Sequence, residues 1–267
     1  MKKFGNLLFV FACTLILTCC SQSTKNNPNK IRVGTIAGPE TSLMEVAQNV
    51  AAKEYGLDID VVEFTDYVLP NQALADGSID ANMFQHLPYL EQTIAAKHYK
   101  LSPIGKTFIY PMGIYSTKIA HLDQLKDNAI VAIPNDPSNE ARALMLLEKA
   151  GVIKLKPGLA LKATSQDIID NPKHIQIKEL DAAQLPRILS DADLAVINTN
   201  YAMMGGLLPS KNALFVEGSD SPYANIVVIR TADKDDPKFV KLMNALHSPE
   251  VVNRAKKLFQ GEAVPAW

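Results

Sequence analysis

Two short segments concentrate aromatic and polar side chains where a strand pattern gives way to a helix pattern. They are Phe64-Thr65-Asp66-Tyr67-Val68-Leu69-Pro70-Asn71 and Asn82-Met83-Phe84-Gln85-His86-Leu87-Pro88-Tyr89. Loops run over a protein's surface, so rings placed there either pack beneath the loop or offer polarizable faces to a small apolar ligand. That choice is open for Tyr67, Phe84 and Tyr89. For His86 it lies between a hydrogen-bonded structural imidazole and a ligand contact. A third segment, Pro134-Asn135-Asp136-Pro137-Ser138-Asn139-Glu140-Ala141-Arg142, leaves a strand, turns on two prolines and enters a helix capped by Ser138 or Asn139. Arg142 then falls in the first turn, where the helix dipole disfavours a cation. A bound carboxylate would supply the missing reason, and an exposed Arg on a solvent face is the alternative. Asn198 and Asn225, in Val196-Ile197-Asn198-Thr199-Asn200-Tyr201 and Ser221-Pro222-Tyr223-Ala224-Asn225-Ile226, stand at the end and start of strand patterns. Asn there is either a turn former or an amide that offers its carbonyl to an ammonium and its NH₂ to a carboxylate. Rings, one guanidinium and amides together suit an amino-acid zwitterion.

Other chemistries lack their signatures. The five histidines, His86, His98, His121, His174 and His247, show no HExxH or HxH spacing, and every cysteine lies within the first 20 residues. Neither a catalytic metal nor a cofactor is expected. There is no G-x-S-x-G elbow, no P-loop and no G-x-G-x-x-G after a strand, and Gly205-Gly206 reads as a helix C-terminus. With 27 basic against 28 acidic residues and no basic block, nucleic acid is excluded as a partner. A composition 47% hydrophobic and 21% charged is that of an ordinary globular chain.

The elements that must position these residues follow from periodicity. Ile31 to Ile36 alternates as a strand, Thr41 to Tyr55 has helical spacing with a capping box from Ser42 to Glu45, and Asp58 to Phe64 is again a strand. Pro70 fits the first turn of a short helix ending at Gly77. A strand at 81–84, a helix from Pro88 to His98 and a strand through Lys106 to Ile109 complete a first series, for which a parallel sheet is expected. A second series follows: strand 130–134, helix 138–150, strand 175–180, helix 182–190 and strand 194–199. The chain closes with a strand at 225–230 and helices at 237–247 and 249–260. This reads as an α/β protein of two lobes, lobe 1 spanning residues 30–110 with 224–267 returning to it and lobe 2 spanning 111–223. In such architectures ligands sit in the crevice where strand ends and helix N-termini converge.

The N-terminus reads as an address. Lys2 and Lys3 precede an apolar run from Leu7 to Leu17, too short to span hydrocarbon, so residues 1–19 are expected to be a signal peptide. Leu17-Thr18-Cys19-Cys20 resembles a bacterial lipobox with Cys20 as the acylated residue; Cys19 departs from the small residue usual before it. Residues 20–29 form a polar linker.

The segments DYVLPNQAL, DANMFQHLPYL, IPNDPSNEARALMLL and AVINTNYA, with the lipobox, resemble the NlpA family of bacterial lipoproteins, and among them the methionine-binding members of ABC importers. The resemblance runs from about Ile31 to Trp267. It implies a type II periplasmic-binding-protein fold that closes on methionine and delivers it to a membrane permease and ATPase. It also implies a monomer, lipid-anchored in the cell envelope and facing the periplasm. Carried onto this chain, Tyr67, Phe84, His86 and Tyr89 would surround the ligand side chain, Arg142 would hold its carboxylate, and Asn198 and Asn225 its backbone polar groups. Three alternatives stand beside this reading: the same cleft holding a methionine derivative or short peptide, an enzyme on a related fold using His86 as a base, and a surface interaction protein.

Overall fold

Alternating β-branched residues and helical apolar stripes build the elements in the order the periodicity dictates. The computed structural model describes residues 29–218 and 221–267. The signal peptide, Cys20 and nearly all of the linker lie outside the described residues. Strand β1 (Lys30–Ile36), helix α1 (Pro39–Tyr55), β2 (Asp58–Phe64), α2 (Leu69–Ala75), β3 (Ala81–His86), α3 (Leu87–Lys97) and β4 (Leu101–Ile109) come first. Then follow β5 (Gly113–Tyr115), β6 (Ile130–Pro134), α4 (Pro137–Lys149), the hairpin β7 (Lys154–Leu155) and β8 (Ile168–Asp170), and β9 (Gln176–Leu180). After α5 (Leu185–Ile188) come β10 (Leu194–Ile197), α6 (Thr199–Met204), α7 (Pro209–Asn212) and β11 (Ala213–Val216). The chain ends through β12 (Ala224–Arg230), α8 (Pro237–Leu246), α9 (Pro249–Leu258) and β13 (Val264–Pro265).

Two sheets result. The first has the order β13-β4-β12-β3-β1-β2 and therefore combines strands from both chain ends; the second runs β11-β5-β10-β6-β9. The chain passes from first to second between Ile109 and Gly113 and comes back between Val216 and Ala224. The expected parallel sheet is corrected to a mixed one. β1 is parallel to β2 and β3, but β12 runs antiparallel between β3 and β4, because a strand that returns from the other lobe enters from the opposite end. In the second sheet β6, β9 and β10 are parallel, and the short β5 and β11 add an antiparallel edge that periodicity did not reveal.

Each sheet has its own core. Leu43, Met44 and Ala47 of α1 pack with Leu242 of α8 and Val251 of α9 over the first sheet, and Leu144 and Leu147 of α4 cover the second. A third apolar cluster joins the lobes, bringing Ile36 and Phe84 of the first sheet against Tyr115 and Ile197 of the second and Tyr201 of α6. The lobes therefore meet over a shared dry surface beside the cleft.

Helix starts differ from expectation in two places that matter for the site. No capping box opens α1: it begins at Pro39 with Gly38 as N-cap, at φ 110° and with no side-chain cap, so Ser42 and Glu45 lie inside the helix. Only glycine tolerates that backbone readily, and the tight turn carries Glu40 into the first helical turn. Helix α4 is capped by Asp136, not by Ser138 or Asn139. The Asp136 carboxylate accepts from the Asn139 backbone N–H at 2.9 Å and also from Asn139 Nδ2, which fixes the amide with its Oδ1 toward His86 and Asn198. The helix expected at 182–190 is a 3₁₀ turn followed by the single turn of α5. The strand expected to reach Thr199 stops at Ile197, and α6 starts at once.

Candidate functional site

The C-terminal ends of β1, β2 and β3 in one sheet and of β6 and β10 in the other point toward one crevice, and the residues that follow each strand line it. All seven candidate ligand residues, Tyr67, Phe84, His86, Tyr89, Arg142, Asn198 and Asn225, border a cleft with about 380 Å³ of empty space including its mouth. Residues separated by up to 158 positions in the chain are thereby brought together, as the strand-end geometry of α/β sheets requires.

The aromatic wall comes from the first lobe. Tyr67 lies 5.9 Å from Phe84 and 6.0 Å from Tyr89 between ring centroids, and Phe84 and Tyr89 meet edge-on at 5.8 Å. Both tyrosine rings are anchored by their hydroxyls: that of Tyr89 donates to the Tyr67 carbonyl at 2.8 Å, and that of Tyr67 donates to Asn200 Oδ1 at 2.7 Å across the lobes. These rings pack on one another and also border the cleft.

His86 closes β3 and caps α3. Its Nδ1 accepts from the Tyr89 backbone N–H at 3.3 Å, so the ring proton sits on Nε2 and donates to Asn139 Oδ1 at 3.3 Å. Burial, reinforced by the Arg142 guanidinium, pushes this imidazole down to about 3. A ring so weakly basic cannot act as a general base near neutrality, which removes the physical ground for an enzyme built on His86.

Arg142 is 4% exposed, so the solvent-face alternative is overturned. The reason for a cation in the first turn is a carboxylate, but one supplied by the chain itself. Nε donates to Glu217 Oε1 at 3.1 Å and Nη2 bonds to Glu217 Oε2, while Nη2 also donates to the Tyr110 carbonyl at 3.0 Å. The guanidinium lies 4.4 Å from the centroid of the Tyr223 ring. Nη1 makes no hydrogen bond among the described residues and remains the nitrogen free to bind an anion. Glu217, in the segment that returns to the first lobe, was not recognisable as its partner because the two are 75 positions apart.

The polar wall holds several buried atoms without a partner in the chain. Asn198 Nδ2 donates to Asn139 Oδ1 at 2.8 Å but its own Oδ1 is unpaired; Asn200 Nδ2 and the Tyr110 hydroxyl are unpaired as well. Asn225 Nδ2 donates at 2.7 Å to Oε1 of Glu40, whose Oε2 is buried and unpaired. Burial pushes the Glu40 carboxyl up to about 8, the Asn225 bond opposing it only in part. Burial likewise raises the Tyr67 and Tyr110 hydroxyls well above the usual tyrosine range. Unsatisfied buried polar atoms are costly and uncommon, and several lining one cavity mark a surface shaped for a polar ligand. Glu40, Asn139 and Asn200 escaped the sequence reading. The Gly38-Pro39-Glu40 turn after β1 was the available signal, being a strand-to-helix corner like those of Tyr67 and His86. Among the described residues no cluster of His, Cys, Asp and Glu could hold a metal ion, and no helix is long and apolar enough to cross a membrane.

Comparison with known proteins bears on this geometry. A family model described as NlpA lipoprotein matches residues 31–267. The chain is 54% identical over 256 residues to a protein of Salmonella typhi named D-methionine-binding lipoprotein MetQ, covering 95% of this chain and 94% of that one. Among solved structures it is similar to an ABC transporter periplasmic substrate-binding protein from Coxiella burnetii, at 60% identity and a TM-score of 0.86, covering 88% of this chain and all of that one. It is also similar to a nutrient binding protein from Burkholderia cenocepacia bound to methionine, at 51% identity and a TM-score of 0.87, covering 89% and 100%.

Proposed function

We propose, from the premise that this chain belongs to the NlpA lipoprotein family, that it captures methionine between its two lobes and delivers it to an ABC importer, without catalysing a reaction. The observation that carries the reading is the division of the cleft. Three rings face a polar wall whose unpaired atoms include acceptors, Glu40 Oε2 and Asn198 Oδ1, and a donor, Asn200 Nδ2, with Arg142 Nη1 available beside them. An α-amino acid presents the complement, an ammonium and a carboxylate on one carbon. A thioether beside aromatic edges contributes about 0.3–1.5 kcal/mol per contact, and burying the side chain about 1.5–3 kcal/mol. A charge-assisted bond from Arg142 to the carboxylate adds about 1.5–3 kcal/mol.

The roles follow in the same terms. Tyr67, Phe84, His86 and Tyr89 surround the thioether chain, Arg142 holds the carboxylate, and Asn198 and Asn225 order the polar wall, Asn225 by orienting Glu40 toward the ammonium. Lobe 1, residues 30–110 with 224–267, carries the rings; lobe 2, residues 111–223, carries Arg142 and Asn198. Closure joins the two sets, so only a ligand with both ends stabilises the closed form fully. Acylation at Cys20 after removal of residues 1–19 would tether the body, as a monomer, to a membrane of the cell envelope on its periplasmic side, where a permease and ATPase receive the ligand.

Calorimetric titration of the full chain tests the function. Methionine is expected to bind at one site per chain and to raise the melting temperature, whereas alanine, which has the same two charged ends and no thioether, is expected to do neither at equal concentration. Absence of methionine binding, or equal affinity for alanine, overturns the reading.

A further inference from the structure

Glu40 is the second residue of α1 and only 2% exposed. Its Oε1 is bonded to Asn225 and its Oε2 is buried and unpaired within the chain. Among the described residues no Lys, Arg or His nitrogen lies within 4.0 Å of it. The titratable groups that face it are Tyr67 from the loop after β2, Tyr110 following β4 and Tyr201 of α6, all kept protonated by burial. The helices packed along α1 carry Lys238 and Lys241 on α8 and Glu250, Arg254, Lys256 and Lys257 on α9; none of these pairs with Glu40. On β1 and β2, Lys30 pairs with Asp58 and Asp60, Arg32 pairs with Asp80, and Glu63 is exposed. Arg142, the cation of the cleft, is engaged by Glu217.

We propose that ligand capture is coupled to proton release: the Glu40 carboxyl carries its proton in the ligand-free protein and gives it up to solvent when an ammonium seats against Oε2. This rests on the methionine reading, and specifically on its α-ammonium. The O–H bond of the carboxyl breaks, its electron pair stays on the carboxylate, and the ammonium keeps its three hydrogens. About one proton leaves per ligand, and the count is the same wherever the remaining proton is shared between nitrogen and oxygen. Geometry supplies the driving force: a carboxylate without a counter-charge in a dry site is disfavoured, and the ligand brings the counter-charge with it. Burial that raises the free carboxyl to about 8 sets the range, since below that pH the free site holds the proton that the complex releases. The association constant should then rise about tenfold per pH unit between about pH 6 and 7.5. His86 does not titrate there, being held down to about 3. Asp136, raised by burial beside the same cleft, is the other group that could take part.

The test is calorimetry of methionine binding to the full chain at about pH 6.5 in buffers of different ionisation enthalpy. The slope of observed heat against that enthalpy is the number of protons exchanged. A slope near one proton released, lost in Glu40→Gln, supports the proposal. A slope near zero with methionine still bound overturns it and leaves the function standing, whereas no binding at any pH overturns the function. A slope that persists in Glu40→Gln but vanishes in Asp136→Asn moves the proton to Asp136 and also overturns it. Should Glu40→Gln fail to fold, the pH dependence of the natural chain decides: an association constant flat from about pH 6 to 7.5 refutes the coupling, and a tenfold rise per unit upholds it.

Discussion

Two glutamates near the cleft stand in opposite electrostatic states, Glu40 buried in its lining and Glu217 half-buried beside Arg142. Glu217 grips the Arg142 guanidinium with both oxygens, so each charge is answered inside the protein. Glu40 has one amide on one oxygen and nothing on the other, and burial holds its carboxyl in the protonated range. The contrast teaches that the two ends of a zwitterion need not be recognised in the same way. At Arg142 the guanidinium is already answered by Glu217, and on the proposed reading a ligand carboxylate joins this pair through the remaining nitrogen. At Glu40 no counter-charge lies within reach among the described residues, and on the same reading the ligand supplies it.

Removing one half of the complete pair should give the largest effect. Arg142→Ala leaves the half-buried Glu217 without its cation, and losing such charge-assisted bonds costs about 1.5–3 kcal/mol of stability by denaturant unfolding. Methionine affinity measured by calorimetry should fall more than about a hundredfold, and undiminished affinity would remove Arg142 from the site. Glu40→Gln should act in the opposite sense on the free protein. In the unfolded chain the carboxyl ionises near 4.5, whereas the folded chain holds its proton to about 8, so stability falls as pH rises between those values. Below about pH 4 the substitution should be neutral, and at pH 7 it should raise ligand-free stability by up to about 3 kcal/mol while weakening methionine binding at pH 8 about tenfold or more. A variant less stable than the natural chain at pH 7 would show that Glu40 is already ionised.

His86 provides the mirror image. Its folded value, about 3, lies below the unfolded 6.5, so its contribution is complete above pH 6.5 and is lost as pH falls toward 3. His86→Asn keeps a helix-capping side chain and should flatten this acid limb, a difference of about 2 kcal/mol at pH 5 in urea unfolding. An unchanged acid limb would mean that the imidazole protonates in place. Tyr67→Phe is the mildest change. It removes the cross-lobe bond to Asn200 and should weaken methionine binding by about two- to tenfold, chiefly through faster dissociation in stopped-flow measurements.

Much of this was legible before any coordinates. The parallel strands and the helices between them follow from period-two and helical spacing, and a strand-to-helix corner is where an α/β chain exposes its functional side chains. That is why Tyr67, His86 and Arg142 stood out and why they line one crevice. Glu40 was hidden for a local reason, since Ser42 and Glu45 offered a plausible cap four residues after the actual one at Gly38 and pushed the expected helix start past it. Asn139 was hidden because it was read as a cap, a duty that Asp136 performs. The antiparallel β5, β11 and β12 could not be foreseen from spacing, because strand direction depends on where the chain re-enters a sheet.

By itself the sequence determined which residue types stand at the corners, since backbone periodicity and turn chemistry are local and are written in neighbouring positions. Only the tertiary structure decided what charge each of those residues carries and which partner it meets. Glu217 lies 75 positions from Arg142 and Asn225 185 positions from Glu40, and whether a carboxylate is paired or left without a counter-charge depends on desolvation and proximity, which arise only when distant segments of the chain fold together.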